Sequence, residues 1–306
     1  MITKPTFDVK FEAKVKQLLN KRKMVPQKKK VGLTAWCDYF LAFSWLSHCR
    51  HGDGFEMLDI LLDDDQLIGG EKFNSNFLLK FEDLYPERLK NNKTWQSLMP
   101  LLVAFKGKGL GAGELYLALV IQGWTFERTD GKGDGKVAGG IRELKNNGAS
   151  LKPHTDSQWR AINDLNETVF QGNRPGPIKP NKNSKGQSFD KFISWFSQQS
   201  NKAEILTEYF TKLWPGVNTK NLVKKLTKIT DAQEFYNAVG AHVLAQYKTI
   251  DKWDSLIVID QENMVMANIA DPSNLTMFPT MKFAWMTQRG GDSQAVCDGY
   301  VNIKVQ

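Results

Sequence analysis

Residues 107–145 read GKGLGAGELYLALVIQGWTFERTDGKGDGKVAGGIRELK. A loop rich in glycine and lysine, residues 106–113, runs into an apolar stretch, 115–121, with the length and composition of a short buried helix opening at Glu114. Trp124 to Arg128 reads as a strand that follows it. The pair Gly139-Gly140 then separates Lys136-Val137-Ala138 from Ile141–Lys145. Two glycines between short apolar runs predict a tight hairpin, because such turns need positive φ at both central residues. That register sets Ala138 opposite Ile141, Val137 opposite Arg142, Lys136 opposite Glu143 and Asp134 opposite Lys145. Alternation along each strand then gathers Asp134, Lys136, Glu143 and Lys145 on one face. Asp134 and Glu143 become diagonal neighbours, roughly 7–8 Å apart at the backbone. A one-residue slip would send one strand's groups to the other face.

Two carboxylates and a lysine on one face are what metal-assisted phosphodiester hydrolysis requires. The acids hold a divalent ion, and the lysine orients or activates a water. The glycine loop and its lysines, leading into a helix start with free N–H groups, suit a phosphate or an anionic backbone. The same residues would also make an ordinary solvated hairpin of alternating charge.

The order of these pieces is a helix with an acid, a strand, a strand beginning at Gly133-Asp134, and a strand ending Glu143-Leu144-Lys145. It resembles the PD-(D/E)xK nuclease superfamily over roughly residues 106–170. No proline precedes Asp134, a departure from the commonest motif. The resemblance implies a restriction-endonuclease-like fold: a mixed α/β protein whose central mixed sheet is flanked by helices. It implies a metal-dependent deoxyribonuclease, an endonuclease in preference to an exonuclease. Asp134 and Glu143 would bind Mg²⁺, with Mn²⁺ as a substitute; Glu114 would assist the metal, and Lys145 would serve the attacking water. Lys106, Lys108, Lys136, Lys152 and His154 are the candidate contacts to DNA, and Arg142 is a further one although the hairpin turns it away. The glycine-rich turn, Gly-Glu-Leu helix and Gly-Asp hairpin look similar to phage-encoded members, which implies action in a host cytoplasm.

Net charge is +8 over 306 residues. Residues 1–30 hold ten basic groups against two acids, so this segment alone accounts for the excess. It would add salt-sensitive, sequence-independent affinity for nucleic acid. Its apolar positions Phe11, Val15, Leu18 and Leu19 form a helical stripe that predicts docking on the rest of the protein and not on a membrane. Three cysteines without ligand spacing, no signal-like start and no run of about 18 apolar residues predict a cytoplasmic protein with free thiols and no membrane partner. The glycine loop lacks a following Gly-Lys-Ser/Thr, and its GxGxGxG spacing is not a dinucleotide fingerprint, so no nucleotide cofactor is expected.

The chain divides, on pattern, into a basic N-terminal helical region (1–95) and a nuclease-like core with the acid/lysine cluster (96–170). A Pro/Gly-rich flexible linker (171–187), a helical insertion (188–250) and C-terminal strands completing the core sheet (251–306) follow. Helices are predicted over 8–24, 34–49, 54–62 and 156–170, and a strand hairpin over 256–269. Asp63-Asp64-Asp65 reads as a solvated helix end. His48 and His51 lack a second ligand pair, which favours helix-end and surface roles over zinc. A binding or virion structural protein that holds DNA on an inherited nuclease-like fold is the alternative. Double-strand cutting often demands two active sites, which makes a homodimer attractive.

Overall fold

In the computed structural model, residues 7–24, 31–106, 111–126, 134–151, 160–161, 168–173, 175, 189–275, 278, 282–285, 296–297 and 301–305 are described. The chain is a mixed α/β protein whose central five-stranded mixed sheet is flanked by helices. It forms two compact units, Met1–Asn147 with Trp253–Asp271, and Gly148–Lys252 with Pro272–Gln306. Among the described residues no helix is long and apolar enough to cross a membrane.

The first unit begins with helix α1 (Val9–Lys21), started by Asp8, whose carboxylate accepts from Lys10 N at 2.8 Å and Phe11 N at 2.9 Å. Its stripe of Phe11, Val15, Leu18 and Leu19 is buried, each side chain contributing about 1.5–3 kcal/mol on leaving water. Helix α2 (Val31–His51) follows, then α3 (Gly54–Leu62). Four basic groups of α1 and its C-terminal cap are spent locally. Arg22 and Lys21 reach Asp64 at 2.6 and 3.0 Å, Lys16 pairs with Glu12 at 2.6 Å, and Lys14 pairs with Asp59. Asp64 is therefore an anchor for α1 and not merely a solvated helix end. His48 accepts from Gly54 N at 3.0 Å and stacks on Phe11, and His51 meets Ser97 Oγ at 3.0 Å, which are structural roles.

Asp53 caps the next helix, α4 (Lys93–Ala104), from forty residues upstream. It accepts from Lys93 N at 2.6 Å, Thr94 N at 3.0 Å and Thr94 Oγ1 at 2.5 Å, while Asn92 accepts from Trp95 N at 2.8 Å. Burial would raise the carboxyl pKa of both Asp53 and Asp64, yet the hydrogen bonds of Thr94 and Lys93 to the one, and of Lys21 and Arg22 to the other, hold both below the usual value. A depressed folded pKa stabilises above the unfolded value near 4 and is lost as pH falls through the folded value. The thermal midpoint is therefore expected to hold from pH 7 to about pH 5 and to fall below about pH 4. Asp53→Asn and Asp64→Asn should lower the neutral-pH midpoint and flatten that acid slope in calorimetry; wild-type slopes in both would refute the assignment.

The sheet runs in the order β1-β7-β6-β3-β2: β1 (Phe77–Lys80), β7 (Val265–Ile269), β6 (Ser255–Asp260), β3 (Gly140–Asn146) and β2 (Gly135–Val137). Strands β3 and β6 are parallel, and the other neighbours are antiparallel. Leu144, Ile257, Ile259, Met266 and Val137 project from one face into the core that holds Phe73, Phe81, Trp95 and the apolar helix α5 (Glu114–Val120). The C-terminal strands were expected to complete this sheet, and β6 and β7 do join it. Beside β7, however, the place is taken by β1 of the N-terminal region, with Phe77 opposite Asn268. Strands β8 (Lys282–Trp285) and β10 (Val301–Lys304) instead pair with β4 (Ser150–Leu151) in a three-stranded sheet of the second unit.

In that second unit the helices Phe189–Ser197, Lys202–Leu213, Lys220–Leu226 and Ala232–Asp251 form where the pattern from 188 onward is helical. The helix predicted over 156–170 is not continuous: Arg160–Ala161 (β5) pairs with Val296–Cys297 (β9), a partner too distant in sequence to be read from local pattern. Apart from residues 171–173 and 175, the linker segment lies outside the described residues.

Candidate metal centre at the hairpin

The hairpin forms, but its turn is Ala138-Gly139, with φ of +49° and +77°, not Gly139-Gly140. The observed pairs are Val137 with Gly140, Lys136 with Ile141 and Gly135 with Arg142. Arg142 is the reason. Its side chain is fully buried, and its guanidinium folds back beneath the strand, donating to Phe73 O (2.8 Å), Ser255 Oγ (3.1 Å), Asn74 Oδ1 (2.6 Å) and Val137 O (3.0 Å). A Cβ on Gly140 would stand 2.7 Å from Arg142 Nη2, so this glycine is needed inside the ladder. The turn moves upstream and Ala138 accepts a left-handed conformation, at a cost of about 1 kcal/mol. Arg142 is thus a core residue and no DNA contact. Burial lowers its pKa, and the nearby charge of Asp254 raises it.

The register differs from expectation by two residues, an even number, so face parity survives. Lys136, Glu143 and Lys145 share the face opposite Val137, Arg142 and Leu144. Asp134 departs from strict alternation. Its N–H donates to Arg142 O at 2.8 Å although Gly135 is the register partner of Arg142, so two residues face one in a bulge. Beyond Arg142, strand β3 has no further ladder with β2, and the Asp134 carboxylate fills that place: Leu144 N donates to its Oδ2 at 2.8 Å. A half-buried carboxylate is thereby fixed on the backbone of Leu144, the residue between Glu143 and Lys145. Glu143 is 8% exposed, and Lys145 Nζ pairs with its Oε1.

Glu114 is 3% exposed at the start of α5, and its Oε1 accepts from Gly111 N at 2.5 Å. The loop N–H at Gly111, offered by the sequence to an outside anion, is thus taken by the chain's own carboxylate. Gly113 presses this helix start onto the sheet. Its φ is +76°, and a Cβ there would lie 2.3 Å from Ile259 Cδ1. Ile259 is the register partner of Asn146 and projects from the Leu144 face. Helix α5, which carries Glu114 at its start, therefore packs on the face of the sheet opposite to that of Glu143 and Lys145, and the structure does not bring Glu114 together with them. Gly113→Ala is expected to cost about 1–3 kcal/mol from the disfavoured φ and the steric clash. Urea midpoints would measure it, and pairing with Ile259→Val should recover the clash but not the backbone part. A neutral Gly113→Ala would overturn this account.

Among the described residues no three His, Cys, Asp or Glu side chains are grouped closely enough to hold a metal ion. The fit to a hard divalent ion therefore rests on Asp134 and Glu143, two oxygen donors on neighbouring backbone. Mg²⁺ commonly takes one or two carboxylates and keeps waters for the rest. Such an ion would displace the Lys145 ammonium from Glu143. Asp260, another buried acid one strand away, is committed elsewhere. Its oxygens accept from Asn147 Nδ2, Asn263 Nδ2, Glu262 N and Asn263 N at 2.8–3.1 Å, closing the β6–β7 turn.

Lys106 and Lys136 are exposed. Lys136 belongs to β2, and its backbone bridges Thr125 both ways, all that the described residues hold of the strand predicted at Trp124–Arg128. Lys108, Lys152 and His154 lie outside the described residues. Sequence reasoning missed the anchoring of Asp134 by Leu144 N–H; an Asp just ahead of a short glycine-led strand is its only local signal. Comparison with protein-family models, with curated proteins and with solved structures finds no match to this chain.

Proposed function

We propose that the chain is a Mg²⁺-dependent deoxyribonuclease, an endonuclease of the PD-(D/E)xK type with a restriction-endonuclease-like core, acting in a host cytoplasm if phage-encoded. The observation that carries this reading is the Asp134 carboxylate held on Leu144 N–H, between Glu143 and Lys145 on one strand. Asp134 and Glu143 would hold Mg²⁺ or Mn²⁺, while Glu114, expected from the resemblance to assist, is spent on Gly111 N–H at the start of α5, which packs on the other face of the sheet. The ion would supply Lewis-acid polarisation of the phosphate and a more acidic bound water. Lys145, freed from Glu143 when the ion binds, is left to orient the nucleophile and to offset charge gathering on the phosphate. The Asp134 anchor keeps its carboxylate from swinging, which spares reorganisation during reaction. Exposed Lys106 and Lys136, together with Lys108, Lys152 and His154, would meet the DNA backbone. A homodimer would supply a second site for double-strand cutting.

Supercoiled plasmid and single-stranded DNA incubated with the protein and Mg²⁺, Mn²⁺ or chelator give the direct test. Nicking or degradation that needs the metal is expected; intact substrates under every condition would sink the proposal. The Glu143–Lys145 ion pair favours one second reading. A site neutralised by its own lysine could belong to a DNA-binding or virion protein that no longer hydrolyses. Strong salt-dependent DNA affinity without calorimetric Mg²⁺ or Mn²⁺ binding would support that reading instead.

A further inference from the structure

In the second unit, no Asp or Glu occurs between residues 209 and 230, whereas Lys212, Lys220, Lys224, Lys225 and Lys228 do. Lys212 is paired with Glu208 at 2.5 Å. The other four belong to the helix Lys220–Leu226 and the turn that continues it through Lys228 N to Lys225 O at 3.2 Å. At 100° per residue, Lys220, Lys224, Lys225 and Lys228 fall with Asn221 on one side, and all five are exposed. Leu222, Val223, Leu226 and Ile229 fill the opposite side and are buried. Among the described residues no ion pair engages these four lysines, in contrast to Lys14, Lys16, Lys21 and Arg22 of α1 and its C-terminal cap, which are bound to acids.

We propose that this lysine face is a second nucleic-acid contact, gripping the phosphate backbone without reading sequence. The face spans about 12 Å at 1.5 Å per residue, enough to follow three or four successive phosphates at about 3.4 Å per nucleotide. No exposed apolar side chain is interleaved with the lysines, so the face lacks the aromatic or aliphatic anchors that protein interfaces and membrane-surface helices use. Charge without anchors is the composition of a backbone-positioning contact. The inference rests on the proposed function only in taking DNA as the polyanion, and it does not require that the hairpin site be active.

The test is anisotropy titration of the full chain with a labelled DNA duplex of mixed sequence, in chelator, across a salt series. A variant carrying Lys220→Gln, Lys224→Gln, Lys225→Gln and Lys228→Gln is expected to bind roughly 10- to 100-fold more weakly at low salt. Its salt slope should shrink by about 3, near 0.9 per lost phosphate contact. A control of equal charge change, Lys72→Gln with Lys80→Gln, Lys90→Gln and Lys93→Gln, should lose several-fold less affinity. Circular dichroism of both variants, matched to wild type, excludes unfolding. Unchanged affinity and slope in the first variant would overturn the proposal, as would an equal loss in the control. Anionic vesicles bound as tightly as DNA, and released by the same variant, would also overturn it in favour of a membrane surface. Loss of cleavage with DNA binding intact would count against the hairpin site alone and leave this inference standing.

Discussion

Lys145→Met is expected to lower DNA cleavage by about 10³-fold while tightening Mg²⁺ binding several-fold. The two effects separate because the ammonium has two positions to serve. In the structure it neutralises Glu143, so it competes with any cation for that carboxylate. Opposite charges near contact interact by several kcal/mol at an effective dielectric of about 20, so removing the competitor favours the ion. The same removal takes away the group that would orient the nucleophile. Asp134→Asn should behave differently: cleavage falls comparably, and metal affinity falls as well, about tenfold or more, because an anionic ligand becomes neutral. Its carbonyl oxygen can still accept from Leu144 N, so folding should be unchanged. Calorimetric titration with Mg²⁺ or Mn²⁺ beside a plasmid-nicking assay measures both quantities. Wild-type cleavage by either variant, or weaker metal binding by Lys145→Met, would contradict the proposed roles.

Arg142→Met is the largest expected loss of stability, about 3–5 kcal/mol. The fully buried guanidinium donates to four acceptors, and three of them, Phe73 O, Asn74 Oδ1 and Ser255 Oγ, tie two other segments to the hairpin. A thioether of similar length fills the space but leaves those oxygens without donors, which costs more than the lost bonds contributed. Arg142→Lys should recover little, because one ammonium cannot reproduce the planar fork. The urea midpoint of the variant, with its slope unchanged, is the measurement. A loss below about 1 kcal/mol would mean that the network is not what holds the hairpin register. Because Asp134 N donates to Arg142 O, loosening this residue should also weaken the metal site, although Arg142 touches no substrate.

Local pattern was sufficient for several elements. The stripe Phe11, Val15, Leu18 and Leu19 marks both the helix α1 and its docked face. Gly54–Leu62 forms over the span read from its composition, and the run Leu256–Ile259 becomes a strand with a hairpin partner ending at Ile269. The hairpin and the shared face of Glu143 and Lys145 were also legible, because side-chain alternation depends only on parity. The turn was not, since Gly140 is reserved for the Arg142 guanidinium, whose acceptors Phe73 and Asn74 lie about seventy residues upstream. The basic N-terminal segment looked like free charge in sequence, yet Asp59 and Asp64 bind much of the part that is described.

By itself the sequence determined that this protein mixes helices with strands, that an amphipathic helix leads the first unit, and that Glu143 and Lys145 point the same way. These follow from periods of 3.6 and 2 residues, which need no knowledge of distant neighbours. Tertiary structure alone decided that β1 closes the sheet beside β7, that Asp134 turns onto Leu144 N–H, and that Arg142 faces inward. Each of those outcomes joins groups far apart in the chain or breaks the local period. Burial requires every polar group to find a partner, and that partner is chosen by the completed fold.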